Sequence, residues 1–187
     1  MRFATLGSAL ALGLAPFAAQ AQGMRLDSPD IAGGRMVANK HVFNGFGCKG
    51  ENVSPALRWQ NPPKGTQSFA LLVHDPDAPT GGAGWWHWAV INIPAAATGL
   101  EQGAGAADGA KLPAGSRQVN TDFGAPGYGG PCPPPGDKPH RYNFTLYALK
   151  VDKLDLPPTA TASLAGYMVN ANALGKTSLQ ALYRQSK

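Results

Sequence analysis

Three short stretches of this chain concentrate the side chains able to do chemistry: Asp75-Pro-Asp77-Ala-Pro79, Trp85-Trp86-His87-Trp88 and His140-Arg141-Tyr142. In the first, two prolines fix φ near its turn value and hold two carboxylates on a stiff loop, so little further entropy is lost when a ligand arrives. His87 stands among three tryptophans, and an imidazole in such an apolar wall is either a satisfied core group or a donor to a ligand. His140 adds a second imidazole at the head of another segment, and a carboxylate such as Asp75 beside either ring would favour its protonated or donor form. Two histidines and an aspartate together describe a site for a small anion.

The same three side chains are a common set for a divalent metal. Their spacing argues against it, because the chain has no His-x-x-x-His or Cys-x-x-Cys pair, and we expect neither metal nor cofactor. Asp75 with His87 or His140 could also act as base and acid on a small phosphate or carbonyl substrate. No Gly-x-Ser-x-Gly elbow supplies a nucleophile, however. The stretch Gly127–Gly136 is rich in glycine and proline but lacks the lysine and following helix of a phosphate-cradling P-loop. Prolines bring no N–H donors, so it reads as a shaped wall.

Strands are needed to bring these stretches together. Segments rich in β-branched and aromatic residues recur at Met36–Phe43, Ser68–His74, Trp86–Ile93 and His140–Leu149, separated by turn-forming stretches that cannot continue a ladder. Phe69–Val73 is apolar throughout, which suits a central strand covered on both sides, whereas Arg141–Leu149 alternates and suggests one buried face. Thr159–Leu174 has helical composition after Pro157-Pro158, and a second short helix is expected through Leu182. Residues 95–115 are small and glycine-rich and read as a surface connection without a site. The expected architecture is mainly β, a sandwich of two antiparallel-rich sheets with a few peripheral and C-terminal helices.

The first residues have the form of a targeting segment. One cation at Arg2 precedes an apolar run from Leu6 to Ala19, then Ala19-Gln-Ala21 offers a small-x-small cleavage site. Gly13 and Pro16 interrupt the run, which is too short to span a bilayer. We therefore expect residues 1–21 to be a removed signal peptide and 22–187 to form one domain, periplasmic or secreted. In such an oxidising compartment the two cysteines, Cys48 and Cys132, invite a disulfide. Net charge is +5 over the whole chain, one less without Arg2. The basic residues form no dense run, which excludes a nucleic-acid footprint and leaves only a mild preference for anions.

Several ordered motifs then converge on one family. Asn44-Gly-Phe-Gly-Cys48, Asn52-Val-Ser-Pro55 with Leu57 and Trp59, Asp75-Pro-Asp-Ala-Pro79, Trp86-His-Trp88, Asn92-Ile-Pro94 and Gly127-Tyr-Gly-Gly-Pro-Cys-Pro-Pro134 with His140-Arg-Tyr142 resemble the bacterial phosphatidylethanolamine-binding proteins. These are also called Raf-kinase-inhibitor-like proteins. The resemblance covers Asn44–Leu149. It implies a β-sandwich with a small surface pocket that accepts phosphate, acetate or the phosphoryl head of a lipid. On that resemblance Asp75 and His87 line the pocket and Asp75 orients a histidine. His140 donates from the opposite wall, and Tyr142 belongs to the same set. Asp77, Pro79 and Trp86 shape floor and rim, while Gly130 and Pro131 sit on the Gly/Pro loop. The animal members lack this cysteine arrangement, so their kinase contacts do not carry over.

Three functions compete. A binding protein for a small anionic ligand or phospholipid head group uses the whole motif set. Inhibition of a partner protease or kinase is implied by the resemblance alone and would call for an exposed apolar rim. An enzyme using Asp75 with His87 or His140 has the side chains but no resolved nucleophile.

Overall fold

The apolar run Phe69–Val73 forms the spine of the fold. The computed structural model describes residues 23–186, so the expected signal peptide lies outside the described residues. In chain order the strands are β1 (Arg25–Asp27), β2 (Asn44–Gly45), β3 (Cys48–Lys49), β4 (Leu57–Gln60), β5 (Ser68–Asp75), β6 (Trp85–Pro94), β7 (Gly99–Leu100), β8 (Arg117–Gln118), β9 (His140–Leu149) and β10 (Ala173–Tyr183), with one helix, α1 (Ala162–Asn172), before the last. A five-stranded sheet in the order β10-β9-β5-β6-β8 is the main layer, and β5 is its middle strand. Every pairing in it is antiparallel. A three-stranded sheet, β1-β4-β7, and the β2-β3 hairpin complete the β structure.

Alternation along β5 divides the interior in two. Phe69, Leu71 and Val73 face one core with Leu57 and Trp59 of β4, Trp88 and Val90 of β6, and Phe144 and Leu146 of β9. Ala70 and Leu72 face the other with Ala165 and Val169 of α1. A strand apolar at every position therefore has cover on both faces. Helix α1 starts where Thr161 accepts a hydrogen bond from the Leu164 N–H at 3.2 Å, a side-chain N-cap.

Two expected elements differ. Met36–Phe43 is not a strand: Met36 makes one isolated bridge to Leu182, and Asn39–His41 forms a 3-10 turn. There the chain closes locally, with His41 N–H donating to Ala38 O and Val42 N–H to Asn39 O. The second helix is replaced by β10, which pairs with β9 through ten matched positions. Leu179, Ala181 and Tyr183 of β10 pack on the inter-sheet core, so a period of two outweighs the helical propensity of its alanine, leucine and glutamine residues.

Two β-bulges interrupt the β5–β6 ladder, between Phe69/Leu71 and between Val73/His74. At the first, Asn92 takes φ +58°. Its side chain accepts from Leu154 N–H at 2.8 Å and donates to Leu154 O at 3.3 Å, tying the bulge to the segment between β9 and α1. Asn92→Ala should lose both bonds and the tolerance of left-handed backbone, costing about 2 kcal/mol in urea unfolding. Asn92→Gly, which keeps the backbone freedom, should cost less.

Candidate functional site

The antiparallel pairing of β5 with β9 places the end of one strand beside the start of the other, so Asp75 and His140 meet. Asp75 Oδ2 lies 2.8 Å from His140 Nδ1, and both side chains are buried. Asp75 Oδ1 accepts from Asp77 N–H at 2.8 Å, a bond within the Asp-Pro-Asp turn. The other ring nitrogen of His140, Nε2, lies 3.3 Å from Asp137 Oδ2. Asp75 thus holds the His140 ring in place. His140 differs from expectation: each of its ring nitrogens faces a carboxylate, so it is not a free donor to a ligand.

His87 arrives from β6 by way of the second bulge. Val73 pairs with Trp88 and His74 with Trp86, which leaves His87 as the extra residue. A bulge re-aims side chains that simple alternation would send to opposite faces. His87 enters a cleft while its neighbour Trp88 enters the inter-sheet core. Its Nδ1 lies 2.6 Å from Gly129 O. Burial lowers its pKa from 6.5 to about 4, because the charged ring would lose its hydration. Burial therefore disfavours an imidazolium at this position.

The cleft so formed has a volume of about 210 Å³. Asp75, Pro79, His87, His140 and Tyr142 line it, together with Phe46, Ala78, Thr80, Trp85, Phe123, Cys132, Pro133 and Pro134. The Tyr142 hydroxyl is buried and has no hydrogen-bond partner. Burial, then the negative charge of Asp75, drive its pKa upward, so it remains a proton donor. Tyr142 and Phe123 each meet the His87 ring edge-on, at 5.0 and 5.4 Å between centroids.

Four of the expected residues stand outside the lining. Asp77 turns to Arg141, accepting from Nε at 2.8 Å, from Nη2 at 2.7 Å and from the Arg141 N–H at 2.9 Å. The guanidinium holds its carboxyl down at about 2. That pairing is intact above the ordinary carboxylate range and is lost as pH falls through about 2. Asp77 is thus the brace between turn and strand. Trp86 points to the opposite side of the sheet, 4.2 Å from the His74 ring and packed on the helical core. Gly130 and Pro131 lie behind the wall: Gly130 N–H donates to Asn52 Oδ1 at 2.7 Å, and Pro131 O accepts from Phe43 N–H. A Cβ at Gly130 would collide with the His41 carbonyl oxygen, so glycine is required there by close approach.

Sequence reasoning missed the aromatic mouth. Phe46 is 71% exposed at the tip of the β2-β3 hairpin, stacked 6.0 Å from Phe123, which meets Trp85 edge-on at 5.6 Å. These residues come from three separate segments and share no spacing that could have announced them. Asn52 was also missed as a support: it holds φ +54° and donates to Tyr128 O at 3.0 Å while accepting from Gly130. A disulfide joins Cys48 to Cys132 across 84 residues, and Cys132 borders the cleft. No group of three or more His, Cys, Asp or Glu side chains among the described residues is arranged to hold a metal ion.

The sequence model of the phosphatidylethanolamine-binding protein family matches residues 28–184. This chain belongs to that family. The UPF0098 protein YbcL of Escherichia coli K12 is 48% identical over 179 residues, covering 96% of this chain and 97% of YbcL. YbhB of the same organism is 44% identical over 160 residues, 86% of this chain and 99% of YbhB. The crystal structure of YbcL, described as a new member of the mammalian family, superposes with a TM-score of 0.85 over 87% of this chain and 99% of that one. A Mycobacterium tuberculosis relative with lipoprotein in its name, LppC, is 43% identical over 134 residues, 72% of this chain and 61% of LppC.

The buried neutral His87 has a measurable consequence. An unfolded chain protonates this imidazole near pH 6.5 and the folded chain only near 4, so the folded state loses stability as pH falls through that window. Urea unfolding at pH 7 and pH 4.5 should show the wild type losing roughly 2 kcal/mol more than His87→Gln over the same interval.

Proposed function

We propose that the cleft binds a small anionic group of the phosphate type, the head group of a phospholipid included, in a protein exported from the cytoplasm. The observation that carries this reading is the pair of polar groups, Tyr142 and His87, left with an unpartnered atom in a cleft where Asp75, His140 and Thr80 are already hydrogen-bonded. The Tyr142 hydroxyl has no partner, and His87, its Nδ1 taken by Gly129, has Nε2 left to offer. Buried polar atoms without partners are costly, and a ligand that supplies them recovers that cost. The family name points to the same ligand chemistry.

Export is supported by the signal-like opening residues, by the Cys48–Cys132 disulfide and by the lipoprotein-named relative. No helix among the described residues is long and apolar enough to cross a membrane. Mass spectrometry of protein from the periplasmic fraction should find the chain beginning at Gln22, with two fewer hydrogens than the reduced form.

Inhibition of a partner enzyme remains the second reading, favoured by the exposed Phe46 beside Trp85 and Phe123. The two readings separate in one titration. Phosphoethanolamine should bind the wild type with measurable heat, and Tyr142→Phe, which removes one oxygen, should weaken binding about tenfold, or about 1.4 kcal/mol. A folded wild type that binds neither phosphate nor phosphoethanolamine would leave the protein-contact reading.

A further inference from the structure

We infer that the group accepted by the cleft brings its own proton: a hydrogen phosphate or the monoanion of a phosphomonoester, in preference to a phosphodiester or sulfate. This rests on the anion-site reading and narrows it to free phosphomonoesters and phosphate, setting aside the phospholipid head group, which is a phosphodiester.

The Gly129 carbonyl can only accept, so His87 Nδ1 must donate across the 2.6 Å that separates them. In the neutral ring, Nε2 then carries a lone pair and no hydrogen. Burial keeps the ring in that form, with its pKa held at about 4. The other polar groups of the cleft do not offset this. Both oxygens of Asp75 are occupied, by Asp77 N–H and by His140 Nδ1. His140 Nε2 faces Asp137. No lysine or arginine lines the cleft, and the neighbouring Arg141 is held by Asp77.

Among the buried side chains of the cleft, a fully deprotonated oxyanion would therefore meet one unpartnered donor, the Tyr142 hydroxyl, and one opposing lone pair. A group with one P–OH and one P–O⁻ satisfies both: the P–OH donates to His87 Nε2 and the oxyanion accepts from Tyr142. The titratable groups around His87 are Asp75 and His74 from β5, whose charges bear on it, and Tyr142 and His140 from β9, with Asp137 behind His140. The segment carrying Phe123 and Gly129 contributes only an aromatic edge and a carbonyl to the ring.

Calorimetry on the purified protein at pH 8, in two buffers of different ionisation enthalpy, tests this with four probes: inorganic phosphate, phosphoethanolamine, glycerophosphoethanolamine and sulfate. Phosphoethanolamine should bind with uptake of close to one proton, whereas inorganic phosphate, which at pH 8 still carries a P–OH as HPO4²⁻, should bind with none. The affinity for phosphoethanolamine should fall roughly tenfold per pH unit above pH 7, because a phosphomonoester loses its second proton near pH 6, and that for inorganic phosphate should not. The diester and sulfate should bind at least tenfold more weakly than the monoester. His87→Gln, checked for folding by circular dichroism, puts an N–H donor in place of the lone pair. It should abolish the proton uptake and bring sulfate and the diester level with the monoester.

Equal affinity of the wild type for monoester and diester, without proton uptake, overturns the proton requirement and leaves the anion site standing. Tight sulfate binding with proton uptake would put the proton on His87 and overturn it too. Failure of all four probes overturns both readings together.

Discussion

The contact between Asp75 and His140 governs the geometry around it. Removing a carboxylate from water costs several kcal/mol unless hydrogen bonds replace the lost hydration, and one left unpaired inside a protein is strongly destabilising. Here the Asp77 N–H and the His140 ring take one oxygen each. The first bond sets the turn after β5, and the second sets the start of β9. Asp77, fixed by the same turn, reaches Arg141 in the adjoining position and closes the brace from outside. Neither strand end can move without exposing an unpaired charge, which is why a cleft can stand at a loop-rich end of the sheet without collapsing.

The bulge at His87 works on the other wall. An uninterrupted ladder would send His87 and Trp88 to opposite faces, and one of the two would lose its setting. The extra residue lets a polar ring border the cleft directly above a tryptophan that fills the core. The Gly129 carbonyl, brought close because a side chain at Gly129 would run into Phe123, then selects the tautomer of His87. A backbone irregularity and a glycine thereby decide which atom of the imidazole is left without a backbone partner.

Much of this was legible in the sequence, though unevenly. The central strand was readable from five consecutive apolar residues, and the cluster of Asp75, His87, His140 and Tyr142 from residue types and motif order. The directions of their hydrogen bonds were not readable, since they depend on a bulge and on glycine contacts that leave no periodic trace. Trp86 was assigned to the rim because the Trp-His-Trp run gives no hint that one step along β6 crosses to the helical core. The resemblance puts Asp77 on the floor or rim of the pocket, and only the fold shows that Arg141 already holds it. Strand β10 was missed because its residues favour helix locally and become a strand only when the edge of β9 is there to pair with.

Cys48 belongs to the hairpin that presents Phe46, and Cys132 to the proline wall opposite Asp75. The disulfide between them therefore joins two sides of one opening. A chain folded where thiols stay reduced would have the catalogue of cleft residues but lack the covalent rivet across its mouth. Closing a loop across a sequence separation of 84 is worth about 4.6 kcal/mol in chain entropy, and that contribution arrives only with oxidation. The shape of the opening is accordingly complete only once the two thiols have been oxidised to one another.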